Sequence, residues 1–469
     1  YEKYQGGFIW DYIDQSVLHI NDQGEKVLTY GGDHDDRATD YEFCGNGIVF
    51  ADRKETPKAQ EVKALYAPIR LKVSKKGVLI ENRNCFVGTE QYHFICRVLR
   101  DGEETFRTVI KADVPPLGEG FAAISFPEPD RDGEYVYEVS ARLSERTLWA
   151  EEGFEIAFGQ AAERKIENAE TPENTGRTSG RGKLEVVHGD VNIGVKGERF
   201  HVMFSMSEGG IASLCYDGVE YITRTPKLTF WRASTDNDRG AGYGYDRAVW
   251  MTAGMFAKKA ECETEETDDG IRVKFFWKLP EPLGVKVSVT YTVSEDGTIR
   301  TELFYPGVEG AAELPAFGME FRLKERYSGF RYYGLGPEEN YIDRKEGARL
   351  GIFQSTAAEN MTPYLMPQEC GNRTGTRWLE VSDGQGRGLR FQAEDRPFES
   401  SVLPYSSYEI EQAVHQEELP NIHYTWVRIL ACQMGVGGDD SWGAPVHSQY
   451  LLPSEQEQRI AFTIKNMSR

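Results

Sequence analysis

The hydrophobic rhythm of the chain changes three times. It opens on Gly6-Gly7-Phe8-Ile9-Trp10-Asp11, a glycine pair, an apolar and aromatic run and then polar residues, which reads as a short buried strand. A loop rich in Gly, Asp and Asn follows from about Asn21 to Asn46. Thr56-Pro57 then predicts a helix start, because threonine caps free backbone N–H groups and proline fits the first helical position; the helix should run through Lys63 to Tyr66 and end before Pro68. Strand, loop and helix make one βα unit over residues 1–68, too little for a complete α/β domain, and the chain opens on Tyr1 rather than Met. The segment is therefore expected to be the tail of something larger, exposing Phe8, Ile9, Val17 and Leu18 unless a partner covers them.

From Ile69 the period shortens to two. Tyr92-His93-Phe94-Ile95-Cys96-Arg97-Val98 and Tyr135-Val136-Tyr137-Glu138-Val139 read as strands, with turn signals at Asp101-Gly102 and Asp132-Gly133. That spacing predicts an antiparallel sandwich of immunoglobulin-like size over residues 69–160. Residues 161–182 hold Glu, Asn, Thr, Gly and Arg with almost no large apolar side chain, the composition of a linker. From residue 183 to 469 strands recur, broken at Glu208-Gly209-Gly210, Asp217-Gly218, Asp269-Gly270 and Asp296-Gly297, with helical periodicity only near Ala248 to Ala257. One large β-sandwich is expected there.

A length of 469 residues agrees with two or three cores. The balance of 54 basic against 75 acidic residues, a net charge of −21, repels phosphate backbones and anionic lipid, so neither nucleic acid nor membrane is an expected partner. No apolar run approaches the ~20 residues of a bilayer span. The seven cysteines are scattered and never spaced C-x-x-C, which points away from a disulfide framework or zinc site and towards a reducing, cytoplasmic setting.

Four strings, in order, carry a resemblance. They are Gly6-Gly7-Phe8-Ile9-Trp10-Asp11-Tyr12-Ile13-Asp14-Gln15-Ser16, extended by Gly31-Gly32-Asp33 and by Phe43-Cys44-Gly45-Asn46-Gly47-Ile48-Val49-Phe50-Ala51-Asp52-Arg53; Trp231-Arg232-Ala233-Ser234-Thr235-Asp236-Asn237-Asp238; Gly334-Leu335-Gly336-Pro337-Glu338-Glu339-Asn340-Tyr341-Ile342-Asp343-Arg344; and Met434-Gly435-Val436-Gly437-Gly438-Asp439-Asp440-Ser441-Trp442. Together they resemble the C-terminal portion of the large bacterial β-galactosidases of glycoside hydrolase family 2. The first string is shared widely in that superfamily; the later three narrow the choice.

The resemblance implies a mainly β chain: the last βα unit of a (β/α)8 barrel at 1–68, an immunoglobulin-like β-sandwich, and a large galactose-mutarotase-like β-sandwich. It implies a retaining enzyme that removes terminal β-D-galactose from β-galactosides such as lactose. Such chemistry needs two carboxyl groups ~5 Å apart at barrel strand ends. In the family both glutamates lie upstream of Gly6, so this chain alone is expected to be inactive. Glu338 and Glu339 cannot replace them, because neighbours in an extended segment point to opposite faces.

What this chain keeps would be sugar contacts. Trp10 sits where barrel active sites are built and offers either an indole face for a galactose ring or a cap on the barrel core; the resemblance favours the sugar. Phe43 and Asn46 flank a turn where a backbone carbonyl and an amide oxygen can converge on one cation, or where Asn46 merely stabilises its own loop. The resemblance favours a partial sodium site there, beside the galactose, to be completed by an upstream aspartate; the family's magnesium ligands also lie upstream. Trp442, on a Gly-Gly-Asp-Asp-Ser loop, reads as a stacking platform for the second sugar or as a plug on the sandwich edge, with the resemblance favouring stacking. Asp33, Asp35 and Asp36 read as a solvated acidic loop, and none of the eight histidines is given a role.

The implied partners are a β-galactoside, the N-terminal portion of the same enzyme and, at full length, further copies in a homo-oligomer. The competing expectation is a non-catalytic carbohydrate-binding or scaffolding module. An active epimerase would need a paired acid and base, and no convincing His/Glu constellation is present.

Overall fold

The computed structural model describes residue 3 and residues 6–166, 184–267, 270–440 and 442–467. The expected strand at Gly6–Asp11 is not formed: Phe8 is fully exposed, and the nearest sheet contact is one parallel bridge between Ile13 and Val49. A strand needs neighbours for its N–H and C=O groups, and none of the described strands pairs with this segment. Part of the expected loop is instead a hairpin, Val17–Ile20 with Lys26–Thr29, whose turn closes on Asn21 as its Oδ1 accepts the amides of Gln23 and Glu25.

The helix forms as its sequence dictates, over Pro57–Leu65, with the Thr56 hydroxyl accepting the Lys58 amide at 3.2 Å. It is not loose. The Glu61 carboxylate accepts the amide of Gly347 at 2.8 Å, and Phe50 enters a buried cluster with Ala233, Tyr364, Cys370, Leu403 and Ile410. Exposure of Phe8, Ile9, Val17 and Leu18 is therefore as expected, but the terminal sandwich itself covers the latter half of the tail.

Seven strands build the second domain. A three-stranded sheet, ordered Ile69–Ser74, Gly77–Asn82, Glu119–Ala123, faces a four-stranded one ordered Glu103–Ile110, Tyr92–Arg100, Gly133–Leu143, Glu155–Lys165. Alternate residues of the Tyr92 strand turn inward, so Phe94 and Cys96 meet Ile69, Val78 and Ile80 in the core. Asp101 and Gly102 both take positive φ, 50° and 88°, the conformation that a two-residue hairpin demands. The last strand runs to Lys165, so residues 161–165, read as the start of a linker, belong to the sandwich. Their small and polar side chains suffice because one sheet face meets water; Glu163, for example, accepts the Tyr137 hydroxyl at 2.7 Å. The rest of the linker, 167–182, lies outside the described residues, as does Asp269 of the Asp269-Gly270 turn.

In the terminal domain nine antiparallel strands run in the order Lys258–Thr267, Gly270–Lys278, Lys286–Ser294, Ile299–Tyr305, Gln458–Asn466, Gly388–Ala393, Trp378–Ser382, Gly329–Gly336, Arg349–Thr356. A five-stranded sheet, Lys227–Thr229, Ala316–Lys324, Tyr424–Gln433, Phe398–Leu403, Arg373–Thr376, accompanies them, as does a second five-stranded sheet over 185–220. One core unites them, with Phe275, Tyr291, Phe321, Phe391 and Phe462 fully buried. Ala248–Phe256 is helical, as expected; the short helix Ser407–Gln412 was not legible. Leu99 and Val136 of the middle domain pack on Tyr333, Leu350 and Trp378, and Arg377 meets Glu134 through two hydrogen bonds of 2.6 and 2.9 Å.

Candidate functional site

The later motifs first build themselves. Thr235 caps the helix Asp236–Gly240 in a reciprocal box with Asp238: its hydroxyl accepts the Asp238 amide, and the Asp238 carboxylate accepts the Thr235 amide. Asp238 also pairs with Arg232 at 2.8 Å, both side chains buried. In the third string Glu338 faces water and Glu339 is buried, the opposition that an extended segment imposes. Glu339 accepts from the Gly371 amide, the hydroxyls of Thr362 and Tyr364, and Arg344. Burial works against its charge, yet Arg344 and those three hydrogen bonds hold it below the usual carboxylate range. Its lone pairs are taken up by structure.

Between these motifs and the tail lies a cavity of about 440 Å³. The tail contributes Asp40, Glu42, Phe43, Asn46 and Lys58; the terminal sandwich contributes Asp236, Arg239, Tyr341, Asp343 and Gln368. Burial lifts the Asp236 carboxyl above its ordinary pKa, against a 2.9 Å hydrogen bond from the Gln368 amide. Burial likewise lowers Lys58, with Asp14 opposing, while Asp14 is itself raised by burial despite accepting the Gly47 amide at 2.6 Å. Carboxylates, a lysine, an arginine and an amide facing one cavity offer a ligand both hydrogen-bond donors and acceptors.

Phe43 and Asn46 both line the cavity, and the Asn46 Oδ1 is buried without a hydrogen-bond partner. Trp442 reaches across to Phe43, ring centroids 5.5 Å apart and planes tilted 31°, while its indole stays 79% exposed. Trp10 is 80% exposed and makes no ring contact with either of them. Of the four expected contact residues, Phe43 and Asn46 thus line the cavity, Trp442 meets it through Phe43, and Trp10 is not among the lining residues. Ser441, beside Trp442, lies outside the described residues.

Sequence reasoning missed Lys58, Asp236, Arg239, Asp343 and Gln368. Asp236 and Asp343 were visible inside quoted motifs, but only a fold spanning 300 residues sets them beside Asn46. The acidic loop is exposed, as expected, and two of its aspartates have partners. Asp36 accepts the amides of Gly32 and His34 and serves its own loop, whereas Asp33 pairs with His415 at 3.0 Å. Among the described residues no group of three or more His, Cys, Asp or Glu side chains is placed to hold a metal.

Comparison with known proteins covers the whole chain. The family described as "Beta galactosidase small chain" matches residues 196–464, "Glycosyl hydrolases family 2, TIM barrel domain" residues 1–71, and "Beta-galactosidase, domain 4" residues 78–162. A β-galactosidase of Streptococcus thermophilus is 44% identical over 468 residues, 100% of this chain and 45% of that protein. One of Lactobacillus delbrueckii subsp. bulgaricus is 44% identical over 99% of this chain and 45% of its own length. The β-galactosidase small subunit of Latilactobacillus sakei is 34% identical across 60% of this chain and 98% of that subunit. This chain therefore spans about half the length of the first two relatives, where it matches their C-terminal part. From motif to matched domain order, the chain belongs to the β-galactosidases of glycosyl hydrolase family 2.

Proposed function

We propose that this chain is the part of a retaining β-galactosidase that completes the sugar pocket without performing bond cleavage. Two carboxyl groups ~5 Å apart at barrel strand ends are needed for the reaction, and this chain matches the barrel domain over residues 1–71 alone, short of the ~250 residues of a whole barrel. The preceding portion would supply both glutamates. This chain would supply Trp10, Phe43 and Asn46 towards the galactose and Trp442 beneath the second sugar of a substrate such as lactose.

The observation that carries the reading is the meeting of Phe43 and Trp442 beside the cavity. Residues from the tail and from the terminal sandwich, far apart in sequence, form one aromatic corner there, and aromatic faces pack against the C–H faces of sugar rings. The orphaned Asn46 Oδ1 fits a hard cation that prefers oxygen ligands. Sodium would be held by that oxygen and the Phe43 carbonyl, and would supply a fixed positive charge for a sugar hydroxyl. Magnesium would be held by the preceding portion.

Mixing decides the matter. This chain alone should not hydrolyse an aryl β-galactoside, whereas this chain combined with the preceding portion of the enzyme should. Sustained turnover by the chain alone would overturn the reading, and a preceding portion without barrel-strand glutamates would favour a sugar-binding module instead.

A further inference from the structure

We propose that Asp343, opposed by Arg232, positions the indole of Trp442 and so tunes preference for the leaving group. The inference rests on Trp442 being the platform for the second sugar.

Arg232 takes the backbone from its carbonyl side, donating to the carbonyl of Met434 at 2.6 Å and to that of Gly435 at 2.8 Å. Asp343 takes the next two residues from their amide side, accepting from Val436 at 3.1 Å and from Gly437 at 2.8 Å. Two opposite charges thus fix the polar groups of four consecutive residues, through hydrogen bonds of the stronger, charge-assisted kind. Glycine is required at 435, where an added Cβ would stand 2.5 Å from the Asp343 carboxylate.

The far end of the loop is held as well. The Asp440 carboxylate accepts the amides of Trp442 and Ala444 at 2.8 and 3.1 Å. Gly443, at φ 108°, seats against the Gly240 carbonyl, where a Cβ would come within 2.6 Å. Gly240 ends the helix whose capping box includes Asp238, and Asp238 is the partner of Arg232. Root and tip of the loop therefore rest on one element. The three later sequence strings meet in a single output, the placement of an exposed ring against Phe43.

Loss of this hold should act on the ring that stacks rather than on the galactosyl unit, because modest misplacement of a contacting group is enough to cost affinity. Asp343 is suited to the test. It is partly exposed, and Asn in its place keeps the size but turns an amide donor towards a backbone N–H.

The complete enzyme, this chain with its preceding portion, would be prepared as wild type, Asp343→Asn, Trp442→Ala and the double variant. Each would be assayed on lactose and on β-galactosyl fluoride, whose leaving group has no ring, with melting temperature recorded alongside. In Asp343→Asn, kcat/KM for lactose relative to the fluoride should fall about tenfold, mainly through KM, and the double variant should fall no further than Trp442→Ala. Additive losses would mean that Asp343 touches the sugar itself, and equal losses on both substrates with a lowered melting temperature would make it merely structural; either result overturns the proposal. A Trp442→Ala enzyme with an unaltered lactose-to-fluoride ratio would instead overturn the stacking role on which the proposal rests.

Discussion

His415 lies flat on Tyr30, ring centroids 4.7 Å apart and planes 8° from parallel, with its Nε2 3.0 Å from the Asp33 carboxylate. Burial opposes a charge on the imidazole, but hydrogen bonds to Asp33 and Glu418 outweigh it and hold His415 above its ordinary pKa. A group raised in the folded state contributes stability that is fully present below its unfolded pKa and is lost as pH rises through the folded one. The seam between the acidic loop and the terminal sandwich should therefore be firmest below about pH 6.5 and loosen above the folded pKa. Asp33→Asn should destabilise the fold most in mild acid, by roughly 0.5–1 kcal/mol after allowance for solvent screening and seen as a lowered melting temperature, and the gap to wild type should narrow in alkali. A gap independent of pH would refute the charge on His415.

The Arg232–Asp238 pair is costly to break, since both side chains are buried. Arg232→Met leaves a buried carboxylate facing no cation and should destabilise the terminal sandwich by about 3–5 kcal/mol, measured by denaturant unfolding. Adding Asp238→Leu should recover only part of this, since Asp238 also accepts the Thr235 amide in the capping box.

Phe50 is the apolar peg of the tail. Phe50→Ala should cost about 3–5 kcal/mol through the void left among Tyr364, Cys370 and Ile410. Limited proteolysis within residues 20–66 should accelerate accordingly, while the middle domain stays resistant.

Replacing sodium by choline in the complete enzyme should raise KM for galactosides several-fold. Asn46→Ala should abolish that dependence by removing the oxygen now left without a partner. An Asn46→Ala enzyme that still responded to sodium would place the ion elsewhere.

Much of the fold was legible because its causes are local. Asp101-Gly102 specifies a hairpin by its own backbone, Thr56-Pro57 a helix start, and the alternation from Tyr92 to Val98 a half-buried strand. The strand expected at Phe8 does not form because an apolar run sets no pairing partner, and no described strand lies beside it. In the candidate site, the motifs pointed to Trp10, Phe43, Asn46 and Trp442, of which Phe43 and Asn46 line the cavity, whereas Lys58 reads locally as an ordinary residue of a helix's first turn. Only the docking of that helix near Asp236 and Glu339 turns it into a lining group. The pairing of Asp33 with His415 was invisible for the same reason, since nothing in either stretch specifies a partner 382 positions away.

The Phe50 cluster bears on how such an enzyme can be divided. Its apolar centre joins the barrel tail to the terminal sandwich, and its flanks carry Glu61 on Gly347 and Asp33 on His415. Were the polypeptide severed between the middle sandwich and the terminal one, this same surface would become part of the joint between two separate molecules, beside the contact of Leu99 and Val136 with Tyr333. Its greasy middle and charged margin already have the make-up of a subunit interface. An organism could thus encode the two halves as separate genes without inventing a new contact to reunite them.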